Sequence, residues 1–174
     1  LYAFTPPIII ESINFLPDFW LYDYLNKVNN KKIAKQILIA TQKMGFKDFI
    51  LFNDSDMFKS FYMKELLNPA VSVYYSRDNL ITTKYFYKHG RRIEPVLIEK
   101  SDICVANSIY LKNYCNRYNK NSYYIGQGCD LKLFDPTSNW KKPADLEPIE
   151  NKPVIGYVGA LISARLDIKL LEFV

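Results

Sequence analysis

Residues 31–56, KKIAKQILIATQKMGFKDFILFNDSD, carry the pattern from which the fold is read. Ile33, Ala34, Ile37, Leu38, Thr41 and Met44 recur at three- and four-residue spacing, which makes one face of a helix over Lys31–Met44. Lys31, Lys32, Lys35, Gln36 and Lys43 fall mostly elsewhere on it. Gly45 is placed to end that helix, since glycine accepts the left-handed backbone of a C-terminal cap. Phe49–Phe52 then runs apolar without alternation, as a strand covered on both faces does. Asn53-Asp54-Ser55-Asp56 follows as a polar loop at the strand's C-terminal end. Helix, glycine, apolar strand and polar loop, in that order, form the repeating unit of a parallel α/β sheet.

The same rhythm continues downstream. Met57–Leu67 reads as a helix stopped before Pro69, and Val71–Tyr75 as a strand leaving through Ser76-Arg77-Asp78-Asn79. Ile93–Lys100 is a second helical pattern, Ile103–Ala106 a short strand, and Ser108 an N-cap for a helix with Leu111, Tyr114, Cys115 and Tyr118 on one side. Tyr123–Ile125 is one more strand, opening into Gly126-Gln127-Gly128-Cys129-Asp130. Upstream, Leu1–Phe4 is an apolar run closed by Thr5-Pro6-Pro7, Ile8–Ile10 reads as a short strand, and Asn14–Trp20, with Pro17, as a loop. The fold class expected is α/β, a Rossmann-like parallel sheet with flanking helices. Ligands of such sheets bind outside the C-terminal ends of the strands. Three polar clusters fall there: Asn53–Asp56, Ser76–Asn79 and Gly126–Asp130.

Composition agrees with a packed domain. Of 174 residues 49% are hydrophobic, enough to bury a sizeable core, and the 14 Tyr and 11 Phe supply wide apolar surfaces. A net charge of +5 suits an anionic ligand or a membrane surface but is too diffuse to mark a nucleic-acid binder. Cys104, Cys115 and Cys129 match neither a zinc pattern nor a disulfide framework and read as free thiols of a reducing compartment. No apolar run reaches the ~18 residues that span a membrane, and no signal peptide is visible. A cytoplasmic protein is therefore expected, with peripheral contact at the inner face of a membrane as a further option.

Thr137–Lys152 is polar, contains Pro143 and Pro148 and lacks periodicity, which makes it the interdomain linker. The expected division is a first domain at 1–136, the linker at 137–152 and the start of a second domain at 153–174. In that last stretch Val154–Val158 reads as a strand, Gly159 as a tight turn and the remainder as a helix. Strand, glycine and helix N-terminus together make an anion site, because backbone N–H groups of the first helical turn point at the ligand.

Four segments carry a family resemblance. Glu99–Ser108 (EKSDICVANS) resembles a helix-to-strand stretch of retaining glycosyltransferases of the GT-B fold. Tyr124–Asp130 with Phe134 resembles the turn before their interdomain linker. Pro153–Leu161 looks like the first strand of their second domain, and Val73-Tyr74-Tyr75 with Asp78 resembles a strand common among bacterial members. Order and spacing agree over residues 70–174, while the segment before 70 shares only the strand–helix rhythm. Gln127 stands where Asn is usual, Ala160 where many relatives carry an Arg, and the paired-glutamate motif that faces the donor sugar would follow Val174.

The resemblance implies an acceptor-binding domain followed by the start of a donor-binding domain. The activity implied is transfer of a sugar from a nucleotide-sugar donor to a saccharide or lipid-linked acceptor, as in the building of bacterial surface polysaccharide, with neither cofactor nor metal. A chain holding only the start of the donor domain is expected to bind donor weakly and turn over nothing. Gly159 and the following N–H groups would hold the leaving diphosphate, Arg165 would supply the cation that Ala160 lacks, and Gly128 would face the donor from its turn. Asp54 and Asp130 would touch the acceptor, Asp130 having the alternative of capping the next turn, and Asp78 would orient or deprotonate an acceptor hydroxyl. Two other classes stay open. Asp54-Ser55-Asp56 resembles the Asp-x-Asp by which GT-A transferases hold a divalent metal, and a non-catalytic α/β module would bind a sugar or anion without chemistry. Lys84–Arg92 interleaves aromatics with cations: by default a solvated helix-loop, next a lipid-docking patch, last a single-stranded nucleic-acid site, and nucleic acid is not an expected partner. His89 within it reads as a solvated loop residue.

Overall fold

Short apolar strands alternating with helices can bury themselves only by lying side by side, with the helices packed against them. The computed structural model describes residues 2–135, 137–138, 141, 144, 153–163 and 166–173, which fall into two compact units, Leu1–Gly128 and Cys129–Val174. The first unit is an α/β fold of Rossmann-like kind. Helix α1 (Trp20–Lys43) leads to β1 (Ile50–Asp54), α2 (Met63–Leu67), β2 (Val71–Ser76), α3 (Lys84–Lys100), β3 (Ile103–Ala106), α4 (Ile109–Cys115) and β4 (Ser122–Tyr124). A 3₁₀ turn, Leu80–Thr82, precedes α3. The four strands form one all-parallel sheet in chain order, β1-β2-β3-β4, with Asp54 opposite Tyr75, Tyr74 opposite Cys104, and Ala106 opposite Tyr124.

Each neighbouring pair of strands is joined through a helix, and the right-handed rule for such crossovers sends α2, α3 and α4 to one face. The core lies there. Leu97 and Ile98 of α3 and Cys115 of α4 pack on Tyr74 and Cys104 of the sheet, and Met63 and Leu67 of α2 pack with Ala34 of α1 beside Leu51. The opposite face is open: Ile50 is 65% and Phe52 56% exposed. This corrects the reading of Phe49–Phe52 as covered on both faces. An edge strand in a sheet whose helices all lie on one side has its other face in solvent.

Helix α1 begins eleven residues before the Lys31 expected of it. Its buried positions, Tyr22, Asn26, Asn29, Asn30 and Ala34, keep helical spacing, but three are asparagines, so hydrophobic periodicity does not show them. Gly45 (φ 71°) does end it: Gly45 N–H donates to Gln42 O and Phe46 N–H to Thr41 O, the paired bonds of a Schellman cap. Helix α3 likewise starts at Lys84 rather than Ile93, its inward stripe being His89, Gly90, Ile93, Glu94, Leu97 and Ile98. His89 is fully buried, stacked on Tyr22 at 3.6 Å between centroids, with Nδ1 3.2 Å from Asp18 Oδ1. The solvated loop expected of it is wrong because the helix turns it inward.

The helix expected over Met57–Leu67 shrinks to Met63–Leu67, since residues 57–62 are tied down as turns by Asp56 and Asn30. Ile8–Ile10 forms no strand. In the second unit 153–158 is irregular and exposed, not a strand, and α5 (Ile168–Phe173) begins well after Gly159. Among the described residues that segment has no neighbouring strand with which to form a ladder. Most of the linker expected at 137–152 lies outside the described residues. Among the described residues no helix is long and apolar enough to cross a membrane.

Asp102 shows how one resembling motif works locally. Its Oδ1 meets Lys64 Nζ at 2.7 Å, while Oδ2 accepts from Ser72 N and Ser72 Oγ at 2.8 and 2.7 Å. The lysine, aided by the two serine donors, lowers the carboxyl from 3.8 to about 2. A depressed carboxylate contributes stability that is present above its unfolded value and lost as pH falls towards 2. Asp102→Asn is therefore expected to lower the melting temperature at pH 5 and to match the parent near pH 2. The difference should be about 1 kcal/mol or less, because the carboxylate is half-exposed and its ion pair screened. Thermal melts across that range check it.

Candidate functional site

In a parallel sheet all C-terminal ends open on one edge, so the residues just beyond them come together whatever their distance in sequence. Beyond β1 and β2 lies a cleft of ≈ 360 Å³, lined by Asp54, Asp56, Lys59, Arg77, Asp78 and the rings of Phe58, Tyr85 and Phe86. Arg77 organises it. Its Nη1 donates to Asp54 Oδ2 at 3.0 Å, and its Nε stands 3.6 Å from Asp78 Oδ2. All three side chains are about half-exposed, so the ion pairs position charge more than they stabilise the fold.

Ser55 fixes how the two strand ends meet. It sits at φ 58°, a left-handed backbone uncommon outside glycine. From there its N–H and Oγ both donate to Tyr75 O, at 3.0 and 2.8 Å, and Oγ accepts from Arg77 N–H at 3.0 Å. The same residue thus ties β1 to β2 and sets the origin of the Arg77 side chain. A backbone in this sparsely populated region persists only where its surroundings hold it, here through the Tyr75 and Arg77 hydrogen bonds.

The two carboxylates of Asp54-Ser55-Asp56 serve different partners. Asp54 faces Arg77, whereas Asp56 Oδ1 accepts from Phe58 N and Lys59 N at 3.1 and 2.8 Å and so caps the turn after β1. Asn53 closes that turn, its Nδ2 donating to Asp56 O and its Oδ1 accepting from Asp56 N–H, both at 3.0 Å. Among the described residues no group of three or more His, Cys, Asp or Glu is gathered so as to hold a metal ion.

Further along the edge, Asn107 Nδ2 donates to Gln127 Oε1 at 3.2 Å, joining the exits of β3 and β4, and Asn79 Nδ2 to Tyr110 Oη at 3.4 Å. Gly126 (φ 72°) makes the turn after β4. Ser108 caps α4 by accepting from Leu111 N–H at 3.2 Å.

Of the residues singled out from the sequence, Asp54 and Asp78 come together on one cation. Gly128 ends the first unit with open space around its Cα. Asp130 belongs to the second unit, where its Oδ1 accepts from Lys132 N and Leu133 N. Gly159 is also there, in an irregular segment with the Tyr157 ring folded over it and without a helix N-terminus behind it. Arg165 lies outside the described residues. In the basic-aromatic stretch 84–92, Lys88 Nζ donates to Phe15 O and Arg92 pairs with Asp18 and Asp23, so two of its cations are engaged within the fold. Arg77, the centre of the cleft, is visible in sequence only as one letter of a strand exit. Its role depends on the register that sets Asp54 opposite Tyr75, and a strand-end polar cluster holding one cation between acidic ones is the signal that would have found it. No family model, curated protein or solved structure matches the chain.

Proposed function

We propose that the chain is part of a nucleotide-sugar glycosyltransferase of the GT-B kind, with its first unit receiving the acceptor, a saccharide or a lipid-linked saccharide. The observation that carries this reading is the Asp54–Arg77–Asp78 constellation in a cleft at the C-terminal edge of an all-parallel sheet. Three of the segments that resemble the family, Val73–Asp78, Glu99–Ser108 and Tyr124–Asp130, support it, whereas Pro153–Leu161 does not form the strand that the resemblance implies. Asp54 and Asp78 can each accept a hydrogen bond from a sugar hydroxyl, and Phe86 and Tyr85 offer faces for its C–H surface. Asp78, the more exposed carboxylate and the one more loosely held by Arg77, is the residue to orient or deprotonate the attacking hydroxyl. Gly128, Gly159 and Arg165 on the donor side, and Asp130 on the acceptor side, belong to the same proposal, as does contact with the inner face of a membrane.

The rival is a metal-dependent transferase built on Asp54 and Asp56, and the capping role of Asp56 weighs against it. Titration of the chain with hexoses and disaccharides, followed by amide NMR, is expected to shift Asn53–Asp56 and Ser76–Asn79, with affinity on the order of millimolar. Arg77→Ala should scatter those shifts by releasing both carboxylates. Silence of both loops across the panel rejects the acceptor reading, and tight manganese binding abolished by Asp56→Ala favours the rival.

A further inference from the structure

Beside the Arg77 cleft lies a second one of ≈ 280 Å³, between the 10–14 loop, α1 and the turn at Phe58 and Lys59. The two clefts share Phe58, Lys59 and Tyr85. The wall of the second is fastened in place: Asn29 Nδ2 donates to Glu11 O at 2.9 Å, Asn14 Nδ2 to Tyr85 O at 3.2 Å, and His89 Nε2 lies 3.3 Å from Asn14 O. The cleft is therefore a built feature, held by the carboxamides of Asn29 and Asn14 and by a buried histidine.

Three polar ends on that wall meet no hydrogen-bond partner among the described residues, and of these Asn14 Oδ1 is itself buried while the other two reach the cleft surface. Asn26 is 4% exposed; its Oδ1 lies 3.2 Å from Asn30 Nδ2, sharing a hydrogen with shorter bonds, and its Nδ2 meets no partner among the described residues. Tyr22 is 1% exposed and stacked on His89, and its hydroxyl meets no hydrogen-bond partner among the described residues. Asn14 stands on the same wall, and its Oδ1 is buried without a partner. A buried polar group in a native fold is nearly always paired, so the orphaned Asn14 Oδ1 calls for a reason. The rest of the lining is Ser12 with the aromatic and aliphatic Phe58, Tyr85, Ile10 and Ile13, while the charged Glu11 and Lys59 are exposed.

We propose that this cleft binds one ring of a neutral polyhydroxylated ligand, a monosaccharide unit. Its volume is at the small end for ligand pockets and suits a single ring. A hydroxyl both donates and accepts, so one ligand class satisfies an amide donor, a phenol and an amide acceptor together. The C–H faces of the ring lie against Phe58 and Tyr85. An anion finds no buried cation on the wall, and an apolar ligand leaves all three polar ends stranded. The inference stands on this cleft alone and holds whether or not the chain belongs to a transferase.

The test uses the intact chain and the methyl glycosides of glucose, galactose, mannose and N-acetylglucosamine, followed by NMR of the Asn side-chain amides and Tyr rings. At least one glycoside is expected to shift Asn26 and Tyr22 resonances. Tyr22→Phe, which keeps the ring stacked on His89, should weaken it about 3- to 10-fold, the effect of one neutral hydrogen bond. Asn26→Ala should weaken it by a similar factor while remaining folded by circular dichroism, and Asp102→Asn, at the opposite end of the sheet, should leave it unchanged. The proposal is overturned if no glycoside shifts these resonances, if cyclohexanol binds as tightly, if inorganic phosphate displaces the glycoside, or if Tyr22→Phe binds as well as the parent. Shifts at Asn53–Asp56 without shifts at Tyr22 and Asn26 would sink this inference and leave the acceptor reading standing; the reverse pattern would do the opposite.

Discussion

Asn30→Ala is expected to destabilise the first unit by about 2–5 kcal/mol, a large share of the ~5–15 kcal/mol that holds a domain folded. Asn30 is fully buried on α1 and is used at both ends of its amide. Nδ2 donates to Phe58 O at 2.9 Å and to Asn26 O at 2.8 Å, and Oδ1 accepts from Tyr62 N–H at 3.1 Å. The segment 57–62 has no regular structure to satisfy its own backbone, so this one side chain stands in for a missing ladder. Removing it strands Phe58 O and Tyr62 N–H, and each orphaned group costs about 1–3 kcal/mol. Asn30→Asp should be worse near neutral pH. The introduced carboxylate can still accept from Tyr62 but faces two carbonyl oxygens with nothing to donate. Its penalty should shrink as pH falls, because the protonated acid regains one donor. Urea denaturation by circular dichroism measures both variants, and a loss below about 1 kcal/mol for Asn30→Ala would show that Phe58 and Tyr62 find other partners.

The reason Asn30 went unnoticed in the sequence is general to this fold. Three strands are legible as short runs rich in β-branched and aromatic residues: Ile103–Ala106 is read to the residue, and β2 and β4 to within one, whereas β1 runs on through Asn53 and Asp54, which read as loop. The helices are legible only where their buried stripe is apolar. In α1 the stripe passes through Asn26, Asn29 and Asn30, and in α3 through His89, Gly90 and Glu94, so periodicity begins half-way along each helix. Those same residues do the polar work: they clamp the 10–19 segment, fasten the 57–62 turns and line the second cleft. For the Arg77 cleft, the strand-exit rule pointed to Asp54 and Asp78 from position alone. What it could not supply was the cross-strand register that brings Arg77 between them, or the left-handed Ser55 that holds the two exits together.

Glu94→Leu is expected to cost about as much, and its conservative counterpart to become stabilising as pH rises. Glu94 is 2% exposed on α3, beneath the centre of the sheet, and its partners are phenols. Tyr74 Oη donates to Oε1 at 2.7 Å and Tyr114 Oη to Oε2 at 3.2 Å, tying β2 and α4 to α3. Burial raises the Glu94 carboxyl above its ordinary value, and the two phenol donors offset only part of that. Leucine leaves both hydroxyls in the core without an acceptor, about 2–5 kcal/mol in all. Glutamine can accept from Tyr74 through its oxygen and donate to Tyr114 through its nitrogen, so the network survives without the charge. A carboxyl raised in the fold releases its proton more readily when unfolded, so its presence costs stability as pH climbs above the ordinary value of 4.5 towards the folded one. Glu94→Gln should therefore match the parent near pH 4 and exceed it at pH 7, whereas Glu94→Leu should fall below it at both. Denaturant midpoints of the three proteins at the two pH values decide the matter. A parent more stable than the glutamine variant at pH 7 would mean that the tyrosine hydrogen bonds favour the carboxylate by more than its desolvation costs.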